Sequence, residues 1–385
     1  MNGIICVYKE QGFTSFDVVA KIRRLFATKK VGHGGTLDPM AEGVLPVFVG
    51  SATKAVDFCP DTDKEYRAWF RFGLTTDTQD ITGRVLTTDN SYVSRNKMYL
   101  LEKTFKGELM QIPPMFSAVS VDGKRLYELA REGREIERQP RPIVIHDLKI
   151  EDYKDNQGVM LVKCSRGTYI RTLIHDMGQF IGTGAVMTGL VRTKSGCFTL
   201  NDCHRLSEIE AIAEQSPQKL EEMLMPMESV FEGMPKAHLD EKQTRLFRNG
   251  ATLDADRVLF DKIYDRGYYI EGSDGVMLGL GKITDSHELE VIQRFNTGAP
   301  EGAARSGAEA KEEKPAAQLA GEAAIEAAIA SEPDRQRTEA VEDTAEAVFP
   351  AQEQASAEAT ADFTAALPEE EFTWGEAAPA AEETV

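Results

Sequence analysis

From Tyr66 to Leu74 apolar and polar residues alternate, with Tyr66, Ala68, Phe70 and Phe72 on one side and Arg67, Trp69 and Arg71 on the other. A period of two is that of a strand with one face on a core and the other on a charged surface. Ile4 to Tyr8 reads as a shorter strand. After it, Thr14-Ser15-Phe16-Asp17 caps a helix in which Phe16, Val19, Ile22, Leu25 and Phe26 recur at helical spacing and Lys21, Arg23 and Arg24 fill the other faces. Val44 to Val49 reads as a buried strand in which Pro46, lacking an N–H, points to an edge or irregular position, and Ala52 to Phe58 as a helix.

Further strands are expected at 116–121, 142–150, 159–165 and 189–199, and helices near 97–106, 124–132 and 168–181. Strands and helices mix without a regular βαβ repeat, which predicts an α+β fold around a mixed, largely antiparallel central sheet. Residues 122–141 form a polar, basic excursion between two strands, long for a plain connector. It reads as an arm over the active face, or as a surface helix seating Leu126, Leu129 and Ala130 on the core, and the two are compatible. A second, β-rich unit is expected at 236–295, with Arg248-Asn249-Gly250 as a turn and short strands at 257–264, 267–271, 276–280 and 290–295.

Beyond Thr297 the composition collapses to Ala, Glu, Pro and Gln. Such a segment buries too little apolar surface to offset its ordering entropy, so 297–385 is expected to be a disordered acidic tail. The tail changes the meaning of the net charge of −19: from Glu301 onward there are 21 acidic and five basic residues, leaving 39 basic and 42 acidic groups before it. The folded part is therefore nearly neutral, with its cations gathered at Lys21, Arg23 and Arg24, at Lys29-Lys30, at Lys124-Arg125 and from Arg131 to Arg141. Each cluster reads equally as a nucleic-acid contact or a solvated face. Five cysteines without a CxxC pair disfavour a disulfide framework and a zinc cage, no stretch approaches 18 consecutive apolar residues, and the N-terminus lacks a charged, cleavable leader. A reducing cytoplasm and no membrane contact are expected.

The chemistry concentrates in Gly32-His33-Gly34-Gly35-Thr36-Leu37-Asp38-Pro39. Its glycines let the backbone approach a ligand closely, and Pro39 holds Asp38 extended. On spacing alone an Asp-Pro beside glycines is more often only a turn held by an Asx-type bond.

With Gly50-Ser51-Ala52-Thr53-Lys54, Lys64-Glu65-Tyr66-Arg67, Thr75-Thr76-Asp77-Thr78-Gln79-Asp80, Gly123-Lys124-Arg125, Tyr127-Glu128-Leu129-Ala130-Arg131 and Cys164-Ser165-Arg166-Gly167-Thr168-Tyr169-Ile170-Arg171-Thr172, that motif resembles the TruB-type tRNA pseudouridine synthases. The resemblance covers residues 3 to about 200, rests on several motifs in order, and implies a pseudouridine synthase domain over 1–231. The 236–295 unit resembles the family's PUA-like C-terminal module, and the tail lies outside the resemblance.

The resemblance implies isomerisation of one uridine in the T loop of tRNA, at the position conventionally called 55, by a monomer with no metal or organic cofactor. Breaking a C1′–N1 bond and remaking it at C5 needs a group that manages charge at C1′ and removes a proton, and a carboxylate can do both. The resemblance gives that role to Asp38, as nucleophile or base. A cation beside it is expected to hold it ionised and aim it, and Arg171 is the family's partner. Tyr66 would stack on the flipped base and assist deprotonation at C5; without the resemblance it reads as core packing. His33 would occupy the space the base vacates, with Lys54, Tyr169 and Leu190 near the pocket, and the arm, with Lys124, Arg125 and Arg131, would close over the T stem-loop. Gly34 and Glu42 stand where many members carry threonine. Glu42 adds a negative charge four residues from Asp38, which matters if it faces the cleft and not if it faces outward.

Two other readings share these residues. A guide-RNA-dependent synthase of the dyskerin type carries the same Asp-containing motif, although such enzymes generally lack the arm. A tRNA-binding or tRNA-folding factor would use the flipping and arm residues without needing the chemistry.

Overall fold

The computed structural model describes residues 1–60, 62–121, 123–261 and 267–295. The expected disordered tail and Asp122 of the arm lie outside the described residues.

The first strand, β1 (Gly3–Lys9), leads into α1 (Ser15–Leu25). Thr14 caps that helix in a closed box: its hydroxyl accepts from Asp17 N at 3.0 Å and the Asp17 carboxylate accepts from Thr14 N at 2.8 Å. The buried stripe is Ser15, Val18, Val19, Ile22 and Phe26, whereas Phe16 is 54% exposed beneath Arg23. Expecting Phe16 in the core set the helix phase wrongly, because the inward residue of the first turn is the polar Ser15.

Next come β2 (Val31–His33), β3 (Glu42–Val49), a 3-10 helix over Gly50–Phe58 and β4 (Lys64–Phe72). In β4 Tyr66, Ala68, Phe70 and Phe72 are buried and Arg67 and Arg71 exposed, as the alternation predicts. A hairpin of β5 (Leu74–Thr76) and β6 (Val85–Thr88) precedes α2 (Asn96–Thr104) and β7 (Gly107–Gln111). Where a strand over 116–121 and a helix over 124–132 are expected, the chain makes a two-residue hairpin, β8 (Ser120–Val121) with β9 (Lys124–Arg125), and a short α3 (Leu126–Arg131). Leu126 and Leu129 are buried and the charged side of the excursion is exposed, so the helical reading of 122–141 holds for its middle.

β10 (Arg141–Lys154), β11 (Gln157–Cys164), α4 (Ile170–Ile181), β12 (Ala185–Ser195), β13 (Phe198–Thr199) and β14 (Cys203–Arg205) follow, with α5 (Leu206–Gln215) and α6 (Pro217–Glu222) behind them. The ten-stranded sheet runs β14-β1-β3-β12-β4-β11-β10-β7, with β13 beside β12 and β2 beside β3. Among the described residues of this sheet only β1 with β14 and β3 with β12 pair in parallel, so the fold is α+β with a mixed, largely antiparallel sheet. Pro46 is tolerated inside β3 because the strand changes neighbours there, from β12 at Glu42 and Gly43 to β2 at Val47 to Val49. Its carbonyl accepts from Gly34 N at 2.9 Å, so its missing N–H faces that gap and not β1.

The second unit forms a six-stranded sheet of β15 (Lys236–His238), β16 (Leu253–Asp254), β17 (Leu259–Phe260), β18 (Tyr268–Glu271), β19 (Met277–Ile283) and β20 (Glu288–Arg294). It also holds a helix that the pattern did not reveal, α7 (Glu241–Arg248), capped reciprocally by Asp240 and Gln243 and ending in the expected turn at Asn249-Gly250. Part of the strand expected at 257–264 lies outside the described residues. Tyr269, Met277, Leu280 and Phe295 share a core with Ile4, Cys6, Val44 and Phe48, which seats this unit against the β1–β3 end of the large sheet.

One half-buried carboxylate works against stability. Asp176 of α4 lines a small pocket of about 90 Å³ with Leu109, Met110, Gln111, Ile143 and Leu173, and burial pushes its pKa up to about 6 from an ordinary 3.8. The folded protein therefore binds this proton more tightly than the unfolded chain, so the group costs stability above pH 6 and the cost fades as pH falls towards 3.8. Asp176→Asn is expected to stabilise the protein at pH 7 by about 1 kcal/mol, after allowing for solvent screening of a partly exposed group. Thermal melts at pH 7 and near pH 4 check this, the gain at pH 7 shrinking at the lower pH.

Candidate active site

β2 and β3 pair as an antiparallel hairpin from which residues 34–41 project, and the residues around them fix this loop. Gly35 sits at φ +139°, a region open to glycine. Ala41 N donates to the Asp38 carbonyl at 3.0 Å, closing a four-residue turn in which Pro39 occupies the second position, where its fixed φ belongs. Ser15, the inward residue of α1, accepts from Leu37 N at 2.8 Å and donates to Leu37 O at 3.2 Å. From below, the buried Lys9 ammonium donates to Phe13 O at 2.6 Å, Glu10 O at 3.1 Å and Pro39 O at 3.4 Å; burial lowers its pKa to about 8.

Asp38 meets Arg171, Nε to Oδ2 at 2.9 Å. The arginine is nearly buried while the carboxylate is 37% exposed, so the pair presents the acid to solvent and keeps the cation behind it. Arg171 also donates to Thr78 O at 2.9 Å and Phe116 O at 2.8 Å, and its Nε lies 3.9 Å from Asp80 Oδ2. Asp80 is held through its other oxygen by Thr82 N at 3.0 Å, Thr82 Oγ1 at 2.6 Å and Thr78 Oγ1 at 2.8 Å. A buried guanidinium is tolerable only when paired and hydrogen-bonded, and here the Asp38 carboxylate and two carbonyls accept its hydrogen bonds while Asp80 adds a second negative charge nearby. The N-terminus of α4 is set by Gln111, whose amide donates to Tyr169 O at 3.1 Å and accepts from Tyr169 N at 2.8 Å.

Asp38, Arg171 and Tyr169 line an open cleft of about 620 Å³, with the groups that hold them lying behind its wall. Of the residues singled out in the sequence, His33, Asp38, Tyr66, Tyr169, Arg171 and Leu190 line it together. Lys54, Lys124, Arg125 and Arg131 do not: all four are exposed, Lys54 on the 3-10 helix and the others on the arm. The 122–141 arm meets the cleft at its C-terminal end, Arg141, beside Ser117, Ala118 and Val119, which precede the arm. Lys64, Arg141 and Arg166 supply cations to the wall that sequence reading did not select. Glu42 does not line the cleft; its carboxylate accepts from Tyr8 Oη at 2.9 Å.

The titratable groups of the cleft are tuned mostly by burial. Burial pushes the Tyr66 hydroxyl above its ordinary value, which keeps it a neutral phenol. His33 is lowered by burial and then by the charge of Arg192, while its Nδ1 accepts from Gly35 N at 3.2 Å. It is a neutral imidazole of a size to fill space beside the cleft. Lys64 is lowered by burial first and Arg192 second.

A mixed sheet that opens a polar cleft, with a carboxylate on a glycine turn and an arginine behind it, defines an enzyme of the pseudouridine synthase fold. Among solved structures, a chain from the Cbf5-Nop10-Gar1 complex matches with a TM-score of 0.61 at 26% identity, over 76% of this chain and 84% of that one. A chain from an H/ACA RNP bound to a substrate RNA containing 2′-deoxyuridine matches with a TM-score of 0.59 at 25% identity, over the same shares. The family model of the TruB family pseudouridylate synthase N-terminal domain matches residues 23–170, and that of the tRNA pseudouridylate synthase B C-terminal domain matches 171–232. The tRNA pseudouridine synthase B of Clostridium tetani is 42% identical over 285 residues, 74% of this chain and 96% of that protein. Its namesake in Lachnoclostridium phytofermentans is 44% identical over 274 residues, 69% and 89% respectively. The chain belongs to the TruB family of pseudouridylate synthases, and is as such an RNA-modifying isomerase.

Proposed function

We propose that this protein converts one uridine of the tRNA T loop, at position 55, to pseudouridine, acting alone on a base flipped into the cleft. The observation that carries the reading is the half-exposed Asp38 carboxylate backed at 2.9 Å by the buried Arg171. Flipping costs a few kcal/mol, offset by stacking on Tyr66 and Tyr169 and by His33 filling the vacated space. Asp38 engages the nucleoside as the C1′–N1 bond breaks, the uracil turns, C5 bonds to C1′, and the C5 proton leaves while N1 takes one up. A phenol held neutral by burial suits stacking and hydrogen bonding better than proton abstraction, which leaves Asp38 as the base for the last step. Lys64, Arg141 and Arg166 take phosphates along the wall, and the outer arm with Lys124, Arg125 and Arg131 closes on the stem.

In this reading residues 1–231 are the catalytic domain with its arm at 122–141, and 236–295 is a PUA-like module. The enzyme works as a cytoplasmic monomer; no helix among the described residues is long and apolar enough to cross a membrane. Independence of a guide is supported by 42–44% identity to relatives named tRNA pseudouridine synthase B, against 26% to the Cbf5-complex chain. The test is tritium release from C5-labelled uridine in a T-arm stem-loop, alone and with the target uridine replaced. Release from the intact loop only is expected. An RNA that binds without release points to a guide-dependent enzyme or a tRNA-binding factor.

A further inference from the structure

Arg192 is fully buried on β12, where it stands in register with Tyr66 on β4 and Gly43 on β3. Its Nε donates to Val44 O at 2.7 Å, one terminal nitrogen to Gly35 O at 3.1 Å and the other to Thr36 O at 3.4 Å. Those carbonyls bracket the loop that carries Asp38, two ahead of it and one behind. Gly35 and Thr36 can turn successive carbonyls onto one guanidinium because Gly35 holds its positive φ. At Gly43, also at positive φ (+102°), a Cβ would collide with the Arg192 backbone.

We propose that Arg192 is a positioning residue for the reaction: its planar guanidinium ties both ends of the 35–44 loop to the central sheet and so fixes where Asp38 meets the nucleoside. The proposal rests on the reading that Asp38 does the chemistry. The two buried arginines divide the task, Arg171 holding the carboxylate and Arg192 the backbone beneath it. Lysine is a poor substitute, since three carbonyls at fixed angles match a rigid fork and not a single flexible ammonium. Displacement by about 1 Å near a reacting centre is enough to cost about 100-fold in rate.

The test uses the full chain with Arg192→Gly and Arg192→Lys, measured for melting temperature, affinity for the T-arm stem-loop and single-turnover tritium release. Arg192→Gly is expected to lose about 100-fold in rate while affinity stays within about threefold, because positioning acts after binding. Guanidinium at about 20 mM, far below unfolding concentrations, is expected to restore at least about tenfold of that loss through the cleft floor at Gly35, and to do nothing for Asp38→Ala. A wild-type rate in Arg192→Gly, or a rate loss that guanidinium leaves unchanged, overturns the inference. If Arg192→Gly does not fold or does not bind RNA, Arg192→Lys decides: wild-type melting with a slow rate supports positioning, and an undiminished rate refutes it. An inactive wild type sinks the reading of Asp38 and this inference with it; an active one beside an unimpaired Arg192→Gly sinks only the inference.

Discussion

Asp38→Ala is expected to lower single-turnover product formation by about 10⁴-fold or more while leaving stem-loop affinity within about threefold. The separation follows from how the loop is held. Its backbone is fixed by Ser15, Lys9 and Arg192, none of which touches the Asp38 carboxylate. Removing that carboxylate leaves the cleft walls, the cations along them and the stacking tyrosines in place. Nor does it strand the Arg171 charge, which keeps Asp80 at 3.9 Å and the carbonyls of Thr78 and Phe116. The charge keeps a partner but Nε loses its 2.9 Å hydrogen bond, so the stability cost is expected at about 1–3 kcal/mol, the scale of one donor left unpaired. Tritium release, filter binding and a thermal melt on one preparation give all three quantities. Parallel loss of rate and affinity, with melting unchanged, would mean that Asp38 serves binding and that the chemistry lies elsewhere in the cleft.

What the sequence disclosed about this fold depended on whether a residue works through periodic burial or through a contact between distant segments. β4 was legible because its alternation is unbroken, and the start of α1 because Thr14 and Asp17 are adjacent in sequence. The phase of α1 was not, since Ser15 faces inward to bond a loop 22 residues away. α7 escaped notice because its eight residues carry few apolar positions, although Asp240 and Gln243 stood at capping-box spacing. In the site, Asp38 stood out by its glycine turn, whereas Lys9, Gln111 and Arg192 act on backbone carbonyls or amides that no spacing brings to view. A faint signal existed for two of them. Lys9 continues the inward set of Ile5 and Val7, and Arg192 follows Leu190 on the inward face of β12. A charge at the end of a buried alternation marks a cation that the fold must satisfy internally. Lys54 lies the other way: the motif that holds it packs Ala52 and Ala55 inward and turns the lysine to solvent, outside the cleft.

Arg171→Met is expected to slow product formation by about 10³-fold and, unlike loss of Asp38, to destabilise the fold markedly. The asymmetry comes from burial. Asp38 is 37% exposed and water can replace part of what it loses, but the Asp80 side chain is only 7% exposed. Removing one member of a buried ion pair typically costs about 3–5 kcal/mol, because the remaining charge is stranded. The Thr78 and Thr82 bonds to Asp80 moderate this without cancelling the charge. Two effects then overlap in a single variant, and Asp80→Asn separates them. In the Arg171→Met background, neutralising Asp80 removes the stranded charge, so the double variant is expected to melt higher than Arg171→Met alone while its rate stays about 10³-fold down, since nothing restores the cation behind Asp38. Arg171→Lys should fall between, keeping a charge but losing the fork that serves Asp38, Thr78 and Phe116 together. If Asp80→Asn recovers rate along with melting temperature, the catalytic defect of Arg171→Met is a consequence of instability, and Arg171 holds the site together without acting on Asp38.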